Sequence, residues 1–325
     1  MSAGGAGREE KRRGGAKWVF AGAGSVWVGG VHTVTLFSPA KLNLSLAITG
    51  RRADGFHDLI SVTSQLAFGD TLRATRVEDG EGFTLTCDAK GVPMDGANLV
   101  LKASAAFAAE TGWRGGVAFE LEKRTPAGAG LGGGSSNAVA ALRALETLSG
   151  ITLPEERRLA LASRLGSDCP LFWHERPVVM RGRGEFIEPL AEAGAARLRG
   201  RRVLVFKPDF GVATAWAYQA LAARPEWYTS AAEEEARLAG WLADGAAPLE
   251  RLLGNTLDLP VFTKWVALPA MLGWLRERHG LVARMSGSGS ACFAILPAGA
   301  DVAAITATIR EGWGAEVFVQ ATELA

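Results

Sequence analysis

Pro126-Ala127-Gly128-Ala129-Gly130-Leu131-Gly132-Gly133-Gly134-Ser135-Ser136-Asn137, running directly into Ala138–Leu148, is the stretch on which the reading of this chain turns. Five glycines among the seven residues Gly128–Gly134 strip the backbone of side chains, so successive N–H groups can converge on one anion. The alanine- and leucine-rich run predicts a helix from about Ser135 to Leu148. Its dipole and its unpaired first-turn N–H groups then point at the same place. Ser135 and Ser136 add hydroxyls, as donors or as a magnesium ligand. Polyphosphate is the natural guest. A mobile linker is also glycine-rich, but it does not usually run straight into a well-formed helix. Gly128, Gly130 and Gly133 also spell G-x-G-x-x-G, which keeps an NAD-binding oxidoreductase as a rival from another class. The context opposes it: Lys123 to Ala127 separate the preceding strand from the first glycine, and no acidic residue closes a second strand about 20 positions on. No Walker A pattern, G-x-x-x-x-G-K-[ST], occurs.

Outward from this loop, the pattern predicts strands within Thr33–Thr49, a polar turn at Gly50–Gly55, and strands at Leu59–Phe68, Asp70–Val77, Phe83–Cys87 and Gly116–Glu122. Asn98 is placed to cap a helix reaching Thr111, and Pro154–Leu165 reads as another helix. Leu171–Met180 reads as strand, and the Arg-rich, small-residue stretch Ala191–Arg201 as a domain boundary. Beyond it the expectation is strand (Arg202–Lys207), helices (Thr214–Ala222, Ala231–Ala243, Pro269–His279), two short strands in Val282–Leu296 broken by Ser286–Ser290, a helix near Asp301–Glu311 and a strand at Ala315–Thr322.

Composition narrows the class. The chain has 325 residues, 48% hydrophobic, with 35 Lys plus Arg against 34 Asp plus Glu. That is enough apolar material for a sizeable core, more than one domain is expected, and the charge balance argues against a nucleic-acid binder. Cys87, Cys169 and Cys292 lie far apart, with no Cys-x-x-Cys and no Cys/His cluster, so neither a disulfide framework nor a zinc site is expected, and a reducing cytoplasm fits. His32, His174 and His279 show no ligand spacing. Met1–Gly15 is Gly/Ala-rich and basic and precedes a mildly apolar run diluted by glycine; this charge-then-apolar order resembles a signal peptide, but a disordered tail, or residues upstream of the true start, is the preferred reading for 1–32. No stretch reaches the roughly 20 apolar residues of a membrane span.

Two further segments give the loop its company. Ser38-Pro39-Ala40-Lys41-Leu42-Asn43-Leu44 lies ahead of it, and Met285-Ser286-Gly287-Ser288-Gly289 lies behind it. In this order, the three segments resemble the three motifs of the GHMP kinase superfamily (galactokinase, homoserine kinase, mevalonate kinase and relatives), and the resemblance runs from Thr35 to the C-terminus. It implies an α+β GHMP kinase fold, with a ribosomal protein S5 domain 2-like N-terminal domain (33–195), a ferredoxin-like C-terminal domain (196–325) and the active site in the cleft between them. It implies ATP, bound by Pro126, Gly128, Gly130, Leu131, Gly132, Gly133, Gly134, Ser135, Ser136 and Asn137, with Mg²⁺ and Ser136 as its candidate ligand. The third segment continues Ser290-Ala291-Cys292 where relatives often have Pro-Thr or Ala-Cys; backbone N–H groups act there, so little change is expected.

Lys41 sits inside an apolar strand, which is costly unless it is paired or points outward from an edge. The resemblance makes it the partner of Asp168, and Asp168 the catalytic base. Mevalonate kinases and galactokinases usually carry Gly-Glu-His in the first motif, which is absent here. Gly50-Arg51-Arg52-Ala53-Asp54-Gly55-Phe56-His57 and Leu165-Gly166-Ser167-Asp168-Cys169-Pro170-Leu171-Phe172 instead resemble the branch of the superfamily that phosphorylates CDP-methylerythritol in non-mevalonate isoprenoid synthesis. This implies that Asn43, Phe56, His57, Tyr218, Gly287, Ser288 and Gly289 bind a small cytidylated substrate. Core packing is the ordinary alternative for Phe56, His57 and Tyr218, and a plain hairpin for Gly287–Gly289. Lys123, Arg124 and Asn98 are further residues that could approach ATP, against the ordinary reading of charged strand ends. Kinases of the same superfamily acting on homoserine, mevalonate or a sugar remain the nearest rivals; a non-catalytic relative is disfavoured by the presence of both Lys41 and Asp168. The expected protein is a cytoplasmic monomer or homodimer with no nucleic-acid or membrane partner.

Overall fold

The structure, a computed structural model, describes residues 32–77 and 82–325; the expected N-terminal extension lies outside the described residues apart from His32. Two long strands, β1 (Thr33–Arg51) and β2 (His57–Val77), pair antiparallel from Thr33↔Thr75 to Arg51↔His57. The sequence predicts a break at Gly69, yet β2 runs through it. A Cβ there would stand 2.2 Å from the Ser38 carbonyl oxygen, so glycine lets the strands close up beside the irregularity between Pro39 and Lys41.

The other elements follow as β3 (Gly82–Cys87), α1 (Leu99–Thr111), β4 (Gly116–Glu122), α2 (Gly133–Ser149), α3 (Glu155–Leu165), β5 (Val178–Arg181), β6 (Phe186–Pro189) and α4 (Glu192–Leu198). Then come β7 (Arg202–Lys207), α5 (Thr214–Ala222), α6 (Ala231–Ala243), β8 (Gly254–Asn255), α7 (Asp258–Lys264), α8 (Ala267–His279), β9 (Ala283–Met285), β10 (Cys292–Ile295), α9 (Val302–Trp313) and β11 (Phe318–Glu323). The larger sheet has the order β3-β4-β2-β1-β8, with β5 on β2 and β6 on β5. The smaller sheet is antiparallel in the order β11-β7-β10-β9, which is the ferredoxin-like arrangement.

Helices α1 and α2 cover one face of the larger sheet: Phe107, Leu142 and Leu145 pack with Leu72, Val117 and Phe119. On the other face Ala40, Leu42 and Leu44 meet Val203, Val205 and Phe293 of the smaller sheet. The far side of that sheet, Leu204, Phe206 and Ala294, is closed by Leu221, Leu268, Leu275 and Ile309. Burying a leucine such as Leu42 completely contributes about 2 kcal/mol. β1 therefore changes character along its length. It alternates from Thr33 to Phe37 and is buried at every position from Ala40 to Ile48.

Three local expectations change. α2 starts at Gly133 rather than Ser135, because a side chain at Gly133 would meet Thr125 and the Lys123 ammonium at about 3 Å while glycine lets the first turn form there. The sequence predicts strand over Leu171–Met180, but Leu171–Trp173 belong to a 3-10 turn that opens at Pro170, and only Val178–Arg181 is strand. The stretch expected as a boundary holds α4, whose Gly194, Ala195 and Leu198 are buried.

Asp258, in the first turn of α7, has an Oδ1 shut away from solvent without a hydrogen-bond partner among the described residues. Burial pushes its carboxyl up to about 7 from 3.8, opposed by the charge of Arg284. The folded-state value is raised above the unfolded one, so stability is highest where both states hold the proton. It falls as pH rises from 3.8 to about 7 and is level above that. Asp258→Asn is therefore expected to stabilise the protein by about 1–3 kcal/mol at pH 8 and by clearly less at pH 5. Thermal melts of both proteins check this, and equal shifts at the two pH values would contradict it.

Candidate active site

The two glycine segments and β1 are knitted together through the backbone. Lys41 N–H donates to the Leu131 carbonyl at 2.9 Å, and Ala291 N–H donates to the Ala129 carbonyl at 3.1 Å. The Ser286 hydroxyl accepts from Asn43 N–H at 3.2 Å and reaches the Gly130 carbonyl at 3.4 Å. Asn255 stitches the second segment from below, donating to the carbonyls of Met285 and Gly287 at 2.9 and 2.8 Å. Glycine is required by contact here as well as by conformation. At Gly130 (φ +77°) a Cβ would lie 2.4 Å from the Ser286 carbonyl oxygen; at Gly132 (φ +69°) it would lie 2.8 Å from Lys41 Cγ. Leu131 turns inward and anchors the loop in the apolar cluster beneath β1.

Asp70 holds the base of this loop. It is fully buried and accepts from Arg124 N–H at 2.9 Å, Thr125 N–H at 2.7 Å, Lys123 Nζ at 2.5 Å and Asn137 Nδ2 at 2.9 Å. The Ser38 hydroxyl, donating to Ser136 Oγ and accepting from Asn137 Nδ2, both at 2.8 Å, completes the network. Ser136 and Asn137, expected at the phosphates, therefore spend their side chains inside the protein. The hydroxyl of Ser136, the expected magnesium ligand, is buried and accepts from Ser38, whereas of the two neighbouring serines Ser135 lines the cavity. Lys123 likewise turns its ammonium to Asp70.

In front of the loop opens a cavity of about 860 Å³, and its walls bring together residues that lie far apart in sequence: Lys41, Asn43, Phe56, His57, Ser135, Asp168, Tyr218, Gly287 and Ser288. The Lys41 ammonium stands 3.4 Å from Asp168 Oδ2 and 2.5 Å from Asn43 Oδ1. The lysine side chain is 4% exposed and the aspartate 38%, so the cation is fixed in the wall while the carboxylate faces the cavity. Asn43 is oriented by donating to Ser61 Oγ and Thr63 Oγ1 at 2.9 and 3.1 Å. Asp168 rides on the tight turn after α3, where Cys169 N–H donates to the Gly166 carbonyl. Burial pushes the Cys169 thiol up to about 11, against a hydrogen bond with Ser135, so it is a neutral core group rather than a nucleophile.

At the other end, the His57 ring lies 5.1 Å from that of Tyr218 and 5.9 Å from that of Tyr228, both tilted. Burial, reinforced by the charge of Arg51, lowers the His57 pKa and keeps the imidazole neutral. Its Nε2 has no hydrogen-bond partner among the described residues. Burial raises the Tyr218 phenol, with the charge of Asp168 adding to it. Phe56 is half exposed beside them. Ser288 bonds Thr214 at 2.7 Å, tying the second glycine segment to α5. Of the residues expected at ATP, Gly130 and Ser135 line the cavity; Pro126, Gly128, Leu131, Gly132, Gly133, Gly134, Ser136 and Asn137 do not, and Gly289 sits behind Gly287 against Met285. Sequence reasoning missed Asp70, Ser38, Ser61, Thr63, Asn255 and Tyr228. Only Asp70 left a trace, as a carboxylate inside an otherwise strand-like run.

A glycine loop at a helix N-terminus, packed against a Lys–Asp pair that borders one cavity, fits a small-molecule kinase of the GHMP type. The models described as GHMP kinases N terminal domain and GHMP kinases C terminal match residues 98–175 and 246–315. The chain is 36% identical over 263 residues to the 4-diphosphocytidyl-2-C-methyl-D-erythritol kinase of Methylacidiphilum infernorum, covering 81% of this chain and 86% of that one. It is 36% identical over 291 residues to the same enzyme of Nitratidesulfovibrio vulgaris, covering 88% and 97%. A crystal structure of 4-(cytidine 5'-diphospho)-2C-methyl-D-erythritol kinase superposes with a TM-score of 0.71 at 34% identity, over 90% of this chain and all of that one. The chain belongs to the 4-diphosphocytidyl-2-C-methyl-D-erythritol kinase family of the GHMP kinases.

Proposed function

We propose that the chain transfers the γ-phosphoryl group of ATP to the 2-hydroxyl of 4-diphosphocytidyl-2-C-methyl-D-erythritol, a step of non-mevalonate isoprenoid precursor synthesis. The observation that carries this reading is the Lys41–Asp168 pair at 3.4 Å, set between the glycine loop and the aromatic end of one cavity. Phosphoryl transfer needs alignment and charge neutralisation more than covalent help. The loop amides and the first turn of α2 hold the triphosphate. Asp168 accepts the proton of the attacking hydroxyl. Lys41, fixed by Asn43, lies where negative charge builds up on the acceptor oxygen and the transferring group. Phe56 and Tyr218 offer flat faces to cytosine, and the unpartnered Nε2 of neutral His57 awaits a base edge.

The donor set in the cavity, the Ser135 hydroxyl and the Asp168 carboxylate, suits a Mg²⁺ ion carried in by the nucleotide rather than a resident one. Such an ion would neutralise phosphate charge, with Ser135 as its protein ligand. The ATP-binding half is assigned to 33–195 and the second half to 196–325; every strand of the smaller sheet comes from the latter, which also lends β8 to β1. Among the described residues no helix is long and apolar enough to cross a membrane. The three cysteines are free thiols, in keeping with the cytoplasmic location proposed. The deciding experiment is phosphorylation by purified protein with ATP and Mg²⁺, comparing the cytidylated alcohol with homoserine and mevalonate. Turnover of the cytidylated substrate alone is expected. Turnover of a non-cytidylated alcohol, with none of the CDP-linked one, would reject the proposal.

A further inference from the structure

The β5–β6 hairpin brings one residue to the cavity that neither the motifs nor the proposed chemistry uses. Its tip, 182–185, is fixed by one bond from β2 and two within the hairpin. Leu59 N–H donates to the Gly182 carbonyl at 2.7 Å, and Gly184 N–H donates to the Arg181 carbonyl at 3.0 Å. Arg183 N–H donates to Glu185 Oε2 at 2.5 Å. One residue earlier, Arg181 grips both carboxylate oxygens of Glu235 on α6, at 2.6 and 3.0 Å, and Glu188 at 2.9 Å. The tip is thus tied to β2 and α6, and what it displays is aimed.

It displays Arg183. The guanidinium carbon lies 5.0 Å over the centre of the Phe56 ring, and both residues line the cavity. Among the described residues no carboxylate lies within 4 Å of this guanidinium, and it donates no hydrogen bond. Its neighbour Arg181 is fully paired, and the nearby Asp54, which feels the charge of Arg183, is bonded to Arg52. Lying over an aromatic face orients a guanidinium while leaving its N–H groups free for a planar, bidentate acceptor such as phosphate. The charge balance of the cavity points the same way. Lys41, Arg51 and Arg183 face a single acid, Asp168, and Lys41 is already committed to Asp168 and Asn43. Arg51 ends β1, and its charge acts on His57 and Tyr228. Arg183, beside Phe56, flanks the base-binding end, where a nucleoside diphosphate turns from its base into its phosphates.

We propose that Arg183 is a specificity-determining residue that holds the diphosphate of the cytidine-diphosphate substrate. This rests on the CDP-linked substrate proposed above and adds to it a residue outside the three kinase motifs. Arg183 acts on the non-reacting part of the substrate, so its loss should appear in KM and leave the transfer step itself nearly intact.

The test is equilibrium binding of CDP and of cytidine to the full-length protein, its Arg183→Leu, Arg183→Lys and Arg51→Leu variants, together with steady-state kinetics. Losing charge-assisted hydrogen bonds to one phosphate should weaken CDP binding about 10–100-fold in Arg183→Leu. Cytidine binding and KM for ATP should stay within about twofold, KM for the CDP-linked alcohol should rise with CDP, and Arg183→Lys should recover part of the loss. An unchanged CDP-to-cytidine affinity ratio in Arg183→Leu would overturn the proposal, as would an equal loss of both ligands, which would make the arginine a prop for Phe56. Collapse of the ratio in Arg51→Leu instead would overturn it too. In each of these cases the parent protein still phosphorylates the cytidylated alcohol, so the functional reading stands. A parent that does not turn it over rejects both.

Discussion

Asp168→Asn is expected to fold like the parent protein and to lose kcat by on the order of 10³-fold or more. The substitution keeps shape and removes two things at once: the proton acceptor for the attacking hydroxyl, and the negative charge 3.4 Å from the Lys41 ammonium. Neither loss should cost much stability. The carboxylate is 38% exposed, and a pair so open to solvent is worth at most about 1 kcal/mol. Lys41 keeps a partner in Asn43 Oδ1, which is itself held by Ser61 and Thr63. The amide can still position the acceptor, so KM for both substrates should change less than kcat. Single-turnover phosphorylation alongside urea denaturation separates the two effects. A variant that retained kcat within about tenfold of the parent would show that Asp168 is not the base, because positioned proton transfer contributes about 10²–10⁴-fold.

What the sequence made legible is what local rules govern. The glycine run flowing into an alanine-rich helix, the alternation of Thr33–Phe37, and the Asn98 cap, whose side chain accepts from Val100 N–H, are all set within a few residues. The Lys–Asp pairing was readable only because the motifs carried a resemblance; nothing in spacing tells that residues 41 and 168 meet. The misses have a common origin in long-range contact. β2 continues through Gly69-Asp70 because Ser38 and Pro39 lie against that glycine across the strand pair. Pro170–Trp173 winds into a 3-10 turn although Leu171–Trp173 read as strand, because the core receives Leu171 and Phe172 from a turn as readily as from a pleat. Asn255 reads as a loop residue and acts as a brace, since both carbonyls it serves lie some thirty residues away. The inward turn of Ser136 and Asn137 was hidden for the same reason. A helix N-terminus predicts where N–H groups point, but the side chains answer to Ser38 and Asp70, more than sixty residues earlier.

Asp70 is where this long-range network can be broken most severely. Its two oxygens take four donors, two of them the N–H groups of Arg124 and Thr125 that lead into the glycine loop. The Lys123 side chain is only 8% exposed, so removing the carboxylate strands a cation in the interior as well as two peptide N–H groups and an amide. Breaking one partner of a buried pair costs about 3–5 kcal/mol, and the stranded donors place Asp70→Ala at the upper end or beyond. Asp70→Asn, which keeps an acceptor for the two N–H groups but offers Lys123 a neutral amide, should lose less and remain folded. Its KM for ATP should rise about tenfold, because one amide cannot reproduce the carboxylate that binds Asn137 and the two N–H groups leading into the loop together. Adding Lys123→Met to Asp70→Asn should restore much of the lost stability without restoring KM, since the methionine removes the stranded charge but cannot re-anchor the strand that feeds the loop. Urea unfolding of the single and double variants gives the coupling energy. If Asp70→Asn unfolded within about 0.5 kcal/mol of the parent and bound ATP normally, the loop would have to owe its shape to the glycines and Leu131, and Asp70 would be a bystander.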